Sequence, residues 1–265
     1  MTDKSRRWAL ILGASSGFGA ATATALAQAG YNIFGVHLDR RATMPQVEAI
    51  KDGIVAAGGE AVFFNVNAAD ADKRAEVIKA VRERLAPGET IRVFMHSLAF
   101  GTLLPFNATP DLPAVNPAQV AMTLDVMASS LIFWVQELVA ADLLGPGSKI
   151  YAMTSAGGAR VMPQYGAVSA AKAALESNIR QLAMELAPRG IAANSIRAGV
   201  TDTPALRKIP GHERFVEAAM KFNPSGRLTT PEDVAAHIVL FSEIDSHWLT
   251  GNVIGVDGGE DIVGA

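Results

Sequence analysis

The 265-residue sequence has no cysteine, few aromatic residues and no excess of charge of either sign. Without cysteine there is no disulfide framework, no thiolate nucleophile and no thiolate-held zinc, and the composition fits a reducing compartment. Lys and Arg number 23 against 26 Asp and Glu, a formal charge of −3. The basic residues are scattered, which gives neither the counterion-release footprint of a nucleic-acid binder nor a polybasic membrane patch. Long apolar runs are also missing. The longest, residues 130–144, is interrupted by Gln136, Glu137 and Asp142, so no bilayer span is expected. Residues 1–8 are polar and basic and lead into no apolar stretch with a small-residue cleavage site. The expectation is a cytoplasmic protein with neither nucleic acid nor membrane as partner. No His, Asp and Glu cluster has metal-ligand spacing, so no metal is expected.

What the sequence does have is rhythm. Short β-prone runs at residues 8–12, 32–38, 61–65, 92–97, 149–154, 192–197 and 253–256 alternate with Ala-rich stretches at 20–29, 47–57, 70–85, 117–144, 165–187 and 231–242. Most of the runs are uniformly apolar rather than alternating, as parallel strands covered on both faces require. Asn116-Pro117 and Thr230-Pro231-Glu232 place a capping residue before proline at a helix start, and Gly30 and Gly190 stand where helices should stop. With no repeat and no linker, residues 1–265 read as a single α/β domain, a doubly wound, Rossmann-type seven-stranded parallel sheet with helices on both faces. Two segments break the rhythm. Residues 101–116 and 198–225 carry three prolines each and are predicted to be loops beyond the carboxyl ends of strands four and six, where such sheets bind ligands.

Gly13, Ser15, Ser16, Gly17, Phe18 and Gly19 lie between the first strand and the first helix. Glycines there allow a sharp turn close to a pyrophosphate, and the helix amino end offers free N–H groups and a positive dipole end. The pattern predicts a dinucleotide site. The end of strand two bears on which dinucleotide: an acid there bonds ribose hydroxyls, whereas basic groups accept a 2′-phosphate. Counted from Gly30, that position falls on His37, with Asp39, Arg40 and Arg41 slightly later, which leans towards NADPH over NADH.

Tyr165 and Lys172 are seven residues apart on a predicted helix. That is close to two turns, so both side chains share a face about 10 Å apart along the axis. Four residues before Lys172 stands Val168, which cannot donate a proton.

The G-x3-G-x-G loop, Asn67-Ala68 after strand three and Val256-Asp257-Gly258-Gly259 near the carboxyl end resemble the short-chain dehydrogenase/reductase family over essentially the whole chain. Taken alone, the last motif reads best as a turn after a core strand. The Tyr-x6-Lys spacing resembles the enoyl-thioester reductase branch of that family. So do the loop His96-Ser97-Leu98-Ala99-Phe100-Gly101, the segment 125–130, Pro163 and Ala198-Gly199-Val200-Thr201. The resemblance implies reduction of the C=C bond of a trans-2-enoyl thioester in fatty-acid synthesis, with the substrate on acyl carrier protein. In a conjugated thioester, hydride enters at the β-carbon while charge collects on a remote oxygen, so a displaced phenol suits it.

On that reading Tyr165 donates to the enolate oxygen. Lys172 holds the nicotinamide ribose, and its charge favours ionised Tyr165. Ser155 stands where the carbonyl-reducing branch keeps a serine and many enoyl reductases keep a second tyrosine. The cofactor side would also include Ser97, Leu98, Ala99, Ala198, Gly199, Val200, Thr201 and Thr203, and the substrate side Phe100, Tyr165, Leu206, Ile209 and Phe215. Arg207 and Lys208 are candidates to dock an acidic carrier protein. The family also implies a homotetramer built through helices 117–144 and 165–187. His37 and His96 are read as strand-end packing residues without a catalytic role. Two alternatives stand beside the enoyl reading: a carbonyl or 3-ketoacyl reductase, which Ser155 favours, and a non-catalytic dinucleotide-sensing protein.

Overall fold

The computed structural model describes residues 7–263. Along the chain run β1 (Arg7–Leu12), α1 (Gly17–Gln28), β2 (Tyr31–His37), α2 (Met44–Ala56), β3 (Ala61–Asn65), α3 (Ala71–Arg84) and β4 (Ile91–His96). Then come α4 (Pro117–Leu124), α5 (Ser130–Ala140), β5 (Lys149–Thr154), α6 (Gly166–Leu186), β6 (Ala192–Ala198), α7 (His212–Phe222), α8 (Pro231–Glu243) and β7 (Val253–Val256). The seven strands form one parallel sheet in the order β3-β2-β1-β4-β5-β6-β7. The order reverses between β1 and β4, and a crevice opens beyond the carboxyl ends of those two strands.

The layering accounts for the apolar strands. Successive side chains point to opposite faces, so Trp8, Leu10 and Leu12 of β1 pack with Val77, Val81, Leu131, Trp134, Leu175 and Ile179. Ala9 and Ile11 meet Ala23, Leu26, Val234 and Ile238 on the other side. Trp8 stacks on Phe34 with ring centroids 4.2 Å apart. Each large apolar side chain removed from water in these layers contributes roughly 1.5–3 kcal/mol, and both layers are built almost wholly of such residues.

Four predicted features differ. The helix expected over 117–144 is interrupted: α4 gives way to a π-helical turn, Asp125–Ser129, before α5 begins. It also ends early, because Asp142 takes a left-handed φ of 53° that terminates the helix. Residues Pro117–Ala140 are long and apolar enough to cross a bilayer by composition, but here Met127, Leu131, Trp134, Val135 and Leu138 are buried in the fold. The long loop 198–225 contains α7, with Pro210 just before it and Pro224 just after. Finally, Tyr165 precedes α6 as its N-cap rather than lying within it.

Candidate active site

The glycine loop turns at Gly13, whose φ of +86° suits only glycine; a Cβ there would also strike the Ser97 carbonyl oxygen at the end of β4. Gly19 sits so close beneath the Gly13 carbonyl that a Cβ would overlap it. The loop is thereby pressed against Ser97 and Leu98, while Gly17 lies beside Thr203 from the segment after β6. Ser16 is the N-cap of α1, yet no side chain caps the helix and no acid occupies its first turn. The dipole end and its amides remain available for an anion. Phe18 packs inward against the core between α1 and the sheet.

At the end of β2 the structure reassigns roles. His37 is buried, tilted against Phe63, with Nδ1 2.9 Å from Asp39 Oδ2. It is Asp39 that reaches the glycine loop. Partial burial works to raise its carboxyl, but hydrogen bonds from Ser15, Thr43 and His37 outweigh this and hold it below the usual carboxylate range. Arg40 and Arg41 are exposed and have no side-chain partner among the described residues. Beyond β3, exposed Asn67 accepts the Ala69 N–H at 3.1 Å, while Ala68 is buried and its carbonyl accepts from Trp134 Nε1 at 2.8 Å. Ala99, like Phe100, is exposed on the loop after β4.

Ser155 and Tyr165 meet beyond β5, while Lys172 reaches the backbone of that strand. Ser155 Oγ and the Tyr165 hydroxyl are 3.5 Å apart. Gln164 takes a left-handed φ of 60°, an unusual conformation for glutamine, and so turns the chain immediately before Tyr165. Burial raises the Tyr165 phenol above its ordinary value, with the Ser155 hydrogen bond acting the other way. The expected lowering by Lys172 is not what this site shows: the lysine ammonium points to the strand instead, donating to the Met153 carbonyl at 2.6 Å. Lys172 is fully enclosed, and burial brings its pKa down to about 8 against the opposing pull of Glu176. Glu176 accepts in turn from Thr154 Oγ1 at 2.6 Å. Val168 packs with Tyr165, Met127 and Ala171.

The substrate side is apolar. Leu103, Met162 and Ile209 pack against the Tyr165 cluster, while Leu206 and Phe215 are half-buried and Phe100 is exposed. Phe106, which sequence patterning does not single out, covers Gly166 closely enough that a Cβ there would meet its ring. Arg207 is bound by Asp202 through two 2.7 Å hydrogen bonds, which leaves Lys208 as the cation of that exposed pair with no ionic partner among the described residues.

The residues after β7 do more than the simple turn expected of them. Asp257 closes a turn, accepting the Gly259 N–H at 3.0 Å, but the next two acids grip the site. Glu260 accepts the Val200 N–H on both oxygens at 3.1 Å. Asp261 bridges Arg160 and Arg197, each at 2.7 Å. The segment from Ala198 through Gly199 and Val200 to buried Thr201 and Thr203 is thus held from behind. Nothing in the local sequence of 257–262 announces this, because its partners lie about sixty or more positions away in the chain.

The model of the family described as enoyl-(acyl carrier protein) reductase matches residues 13–260. The chain belongs to that family, within the short-chain dehydrogenases/reductases. The enoyl-[acyl-carrier-protein] reductase [NADH] of Aquifex aeolicus is 32% identical over 66% of this chain and 64% of its own length. Its crystal structure superposes with a TM-score of 0.82 at 26% identity, covering 98% of both chains. Family members of other specificity are nearly as similar. A 3-oxoacyl-[acyl-carrier-protein] reductase of Synechocystis is 29% identical over 98% of each chain. A cyclohexanol dehydrogenase of Acinetobacter is 32% identical over 94% of this chain and 93% of its own length. The chain is therefore an oxidoreductase that uses a nicotinamide dinucleotide. Its own residues fit that cofactor: uncapped amides at the start of α1, a crowded glycine turn at the β1/β4 crevice, and the enclosed ammonium of Lys172.

Proposed function

We propose that the chain reduces the C=C bond of a trans-2-enoyl thioester, with acyl carrier protein as the carrier. A bound reduced nicotinamide supplies the hydride. The chain's own part is to place a proton donor at the distant oxygen. The single observation that carries the reading is the buried Tyr165 at the N-cap of α6, with buried Val168 where a tyrosine four residues from Lys172 would stand. As the β-carbon is reduced, negative charge gathers on the thioester oxygen, and Tyr165 donates to it. A phenol raised by burial is neutral at working pH and so has its proton to give. Lys172 orients the ribose, and Phe100, Leu206, Ile209 and Phe215 border the acyl chain.

NADH is the proposed cofactor. The lean towards NADPH rests on His37 occupying the acidic position and on Arg40 and Arg41 nearby; the ionised Asp39 beside Ser15 supplies an acceptor for ribose hydroxyls and repels a 2′-phosphate. The name of the Aquifex relative carries the same cofactor. A second reading, carbonyl reduction, has its own support in the Ser155–Tyr165 pair at 3.5 Å. One assay separates them: absorbance of NADH and NADPH monitored with crotonyl and with 3-ketoacyl thioesters. Oxidation with crotonyl thioester, faster with NADH, is expected. Turnover of the ketoacyl compound alone would overturn the proposal, and a strong NADPH preference would overturn the cofactor assignment.

A further inference from the structure

His96 ends β4 and is fully buried. Its Nε2 lies 2.9 Å from Ser130 Oγ, the first residue after the π-helical turn. Ser130 spends its only hydroxyl hydrogen on the Val126 carbonyl, 2.8 Å away within that turn. The serine oxygen can therefore only accept from the imidazole, so Nε2 carries the hydrogen and Nδ1 is a bare lone pair. That Nδ1 is buried and has no partner among the described residues. An unpaired buried acceptor is destabilising, and packing alone would favour an apolar residue here.

Lys172 is the donor at hand. Its ammonium bonds the Met153 carbonyl, one position beyond Ala152, which faces His96 in the strand register. The ammonium has three hydrogens and this one described acceptor. Its charge is felt at His96, whose pKa is driven down to about 3 by burial first and by Lys172 second. The imidazole is consequently neutral and acts only as an acceptor towards the lysine. The charged group that faces Lys172 is Glu176, one turn along α6, which favours the charged form.

We infer that His96 is a positioning residue for the catalytic lysine: its Nδ1 and the Lys172 ammonium share one buried water, and the Ser130 hydroxyl, committed to the Val126 carbonyl, fixes the tautomer that makes this possible. A water with partners of this polarity is an ordinary constituent of a protein interior. The inference rests on Lys172 serving the cofactor site, and it is indifferent to which substrate is reduced.

The test uses the ligand-free protein, so it cannot fail merely because the enoyl reading fails. With lysines labelled at ¹³Cε, and the Lys172 signal identified by its loss in Lys172→Arg, the titration midpoint is compared in three proteins. His96→Leu should lower it by at least about half a pH unit, roughly a threefold rise in the acid dissociation constant. His96→Asn, whose amide oxygen can take the place of Nδ1, should return it towards the wild-type value. Equal midpoints in all three, or equal falls in both variants, would overturn the inference. Should the leucine variant not fold, the wild-type protein still decides: long-range ¹H–¹⁵N spectra must show His96 protonated on Nε2 and bare on Nδ1, and the reverse tautomer would overturn it.

Discussion

Two side chains set the chemistry of the site, and each makes a distinct prediction. Among the described residues the Tyr165 hydroxyl bonds only Ser155, at 3.5 Å, so Tyr165→Phe removes a proton donor while leaving the packing intact. Turnover should fall roughly 10²–10³-fold, the loss typical of one donor to a developing oxyanion, while the dissociation constant for NADH stays within about twofold. Stopped-flow reduction and fluorescence titration of the cofactor give both numbers, and an unchanged turnover would remove Tyr165 from the role of donor.

Lys172 is different because burial lowers its pKa to about 8 from the ordinary 10.5. Between those values the unfolded chain binds the proton that the folded chain has released, so stability rises with pH across this window. Below about pH 8 the enclosed charge is a net cost of roughly 3 kcal/mol. The stability advantage of Lys172→Met over wild type, measured by urea denaturation, should accordingly be largest below pH 8 and shrink towards pH 10.5. Constancy of that difference across the range would show that the lysine is not a buried base.

Among the elements, the segment 257–262 behaves as a strap. Glu260→Ala leaves the Val200 N–H without the carboxylate that both oxygens now offer it, at an expected cost of about 1–2 kcal/mol. Hydrogen exchange at residues 199–203 should quicken while that of β1 and β4 is unchanged. Uniform exchange throughout would show that the strap does not hold the loop.

This element is illegible in the sequence, in contrast to the glycine loop and the strands. Gly13, Gly17 and Gly19 carry a local rule, since a turn, a cradle and a helix start need those residues in that order. The apolar runs likewise define their own strands by being covered twice. The strap depends on Arg160, Arg197 and Val200, which only the finished sheet brings near. The π-turn is hidden too, because 125–129 is ordinary helix-forming sequence. Pro204, Pro210 and Pro224 suggest a loop where α7 forms, although two of them stand at its borders and punctuate it. Asp39 is passed over as slightly late because counting from Gly30 measures position along a strand and cannot see that His37 turns inward.

At the scale of the whole molecule, apolar surface is distributed unevenly. Leu240, Ile244, Trp248, Leu249 and Val253 are exposed together around the end of α8 and the edge strand β7, with Trp248 88% accessible. Phe133 and Met184, on the helices expected to carry subunit contacts, are exposed as well. An unpaired strand edge beside such a patch favours association with a second copy. Sedimentation should give a homotetramer, four times the 27.8 kDa of one chain, and Trp248→Asp should reduce its size. A monomer at micromolar concentration would refute this.

The strap also orders events during synthesis. A nascent chain that has emerged as far as β6 already possesses the phosphate cradle, Tyr165 and Lys172, but the backbone of 199–203 is still without its anchor. Ribosome-bound intermediates should therefore fold their sheet before they can hold the reduced dinucleotide tightly, and competence should arrive only once residues 257–262 have been added.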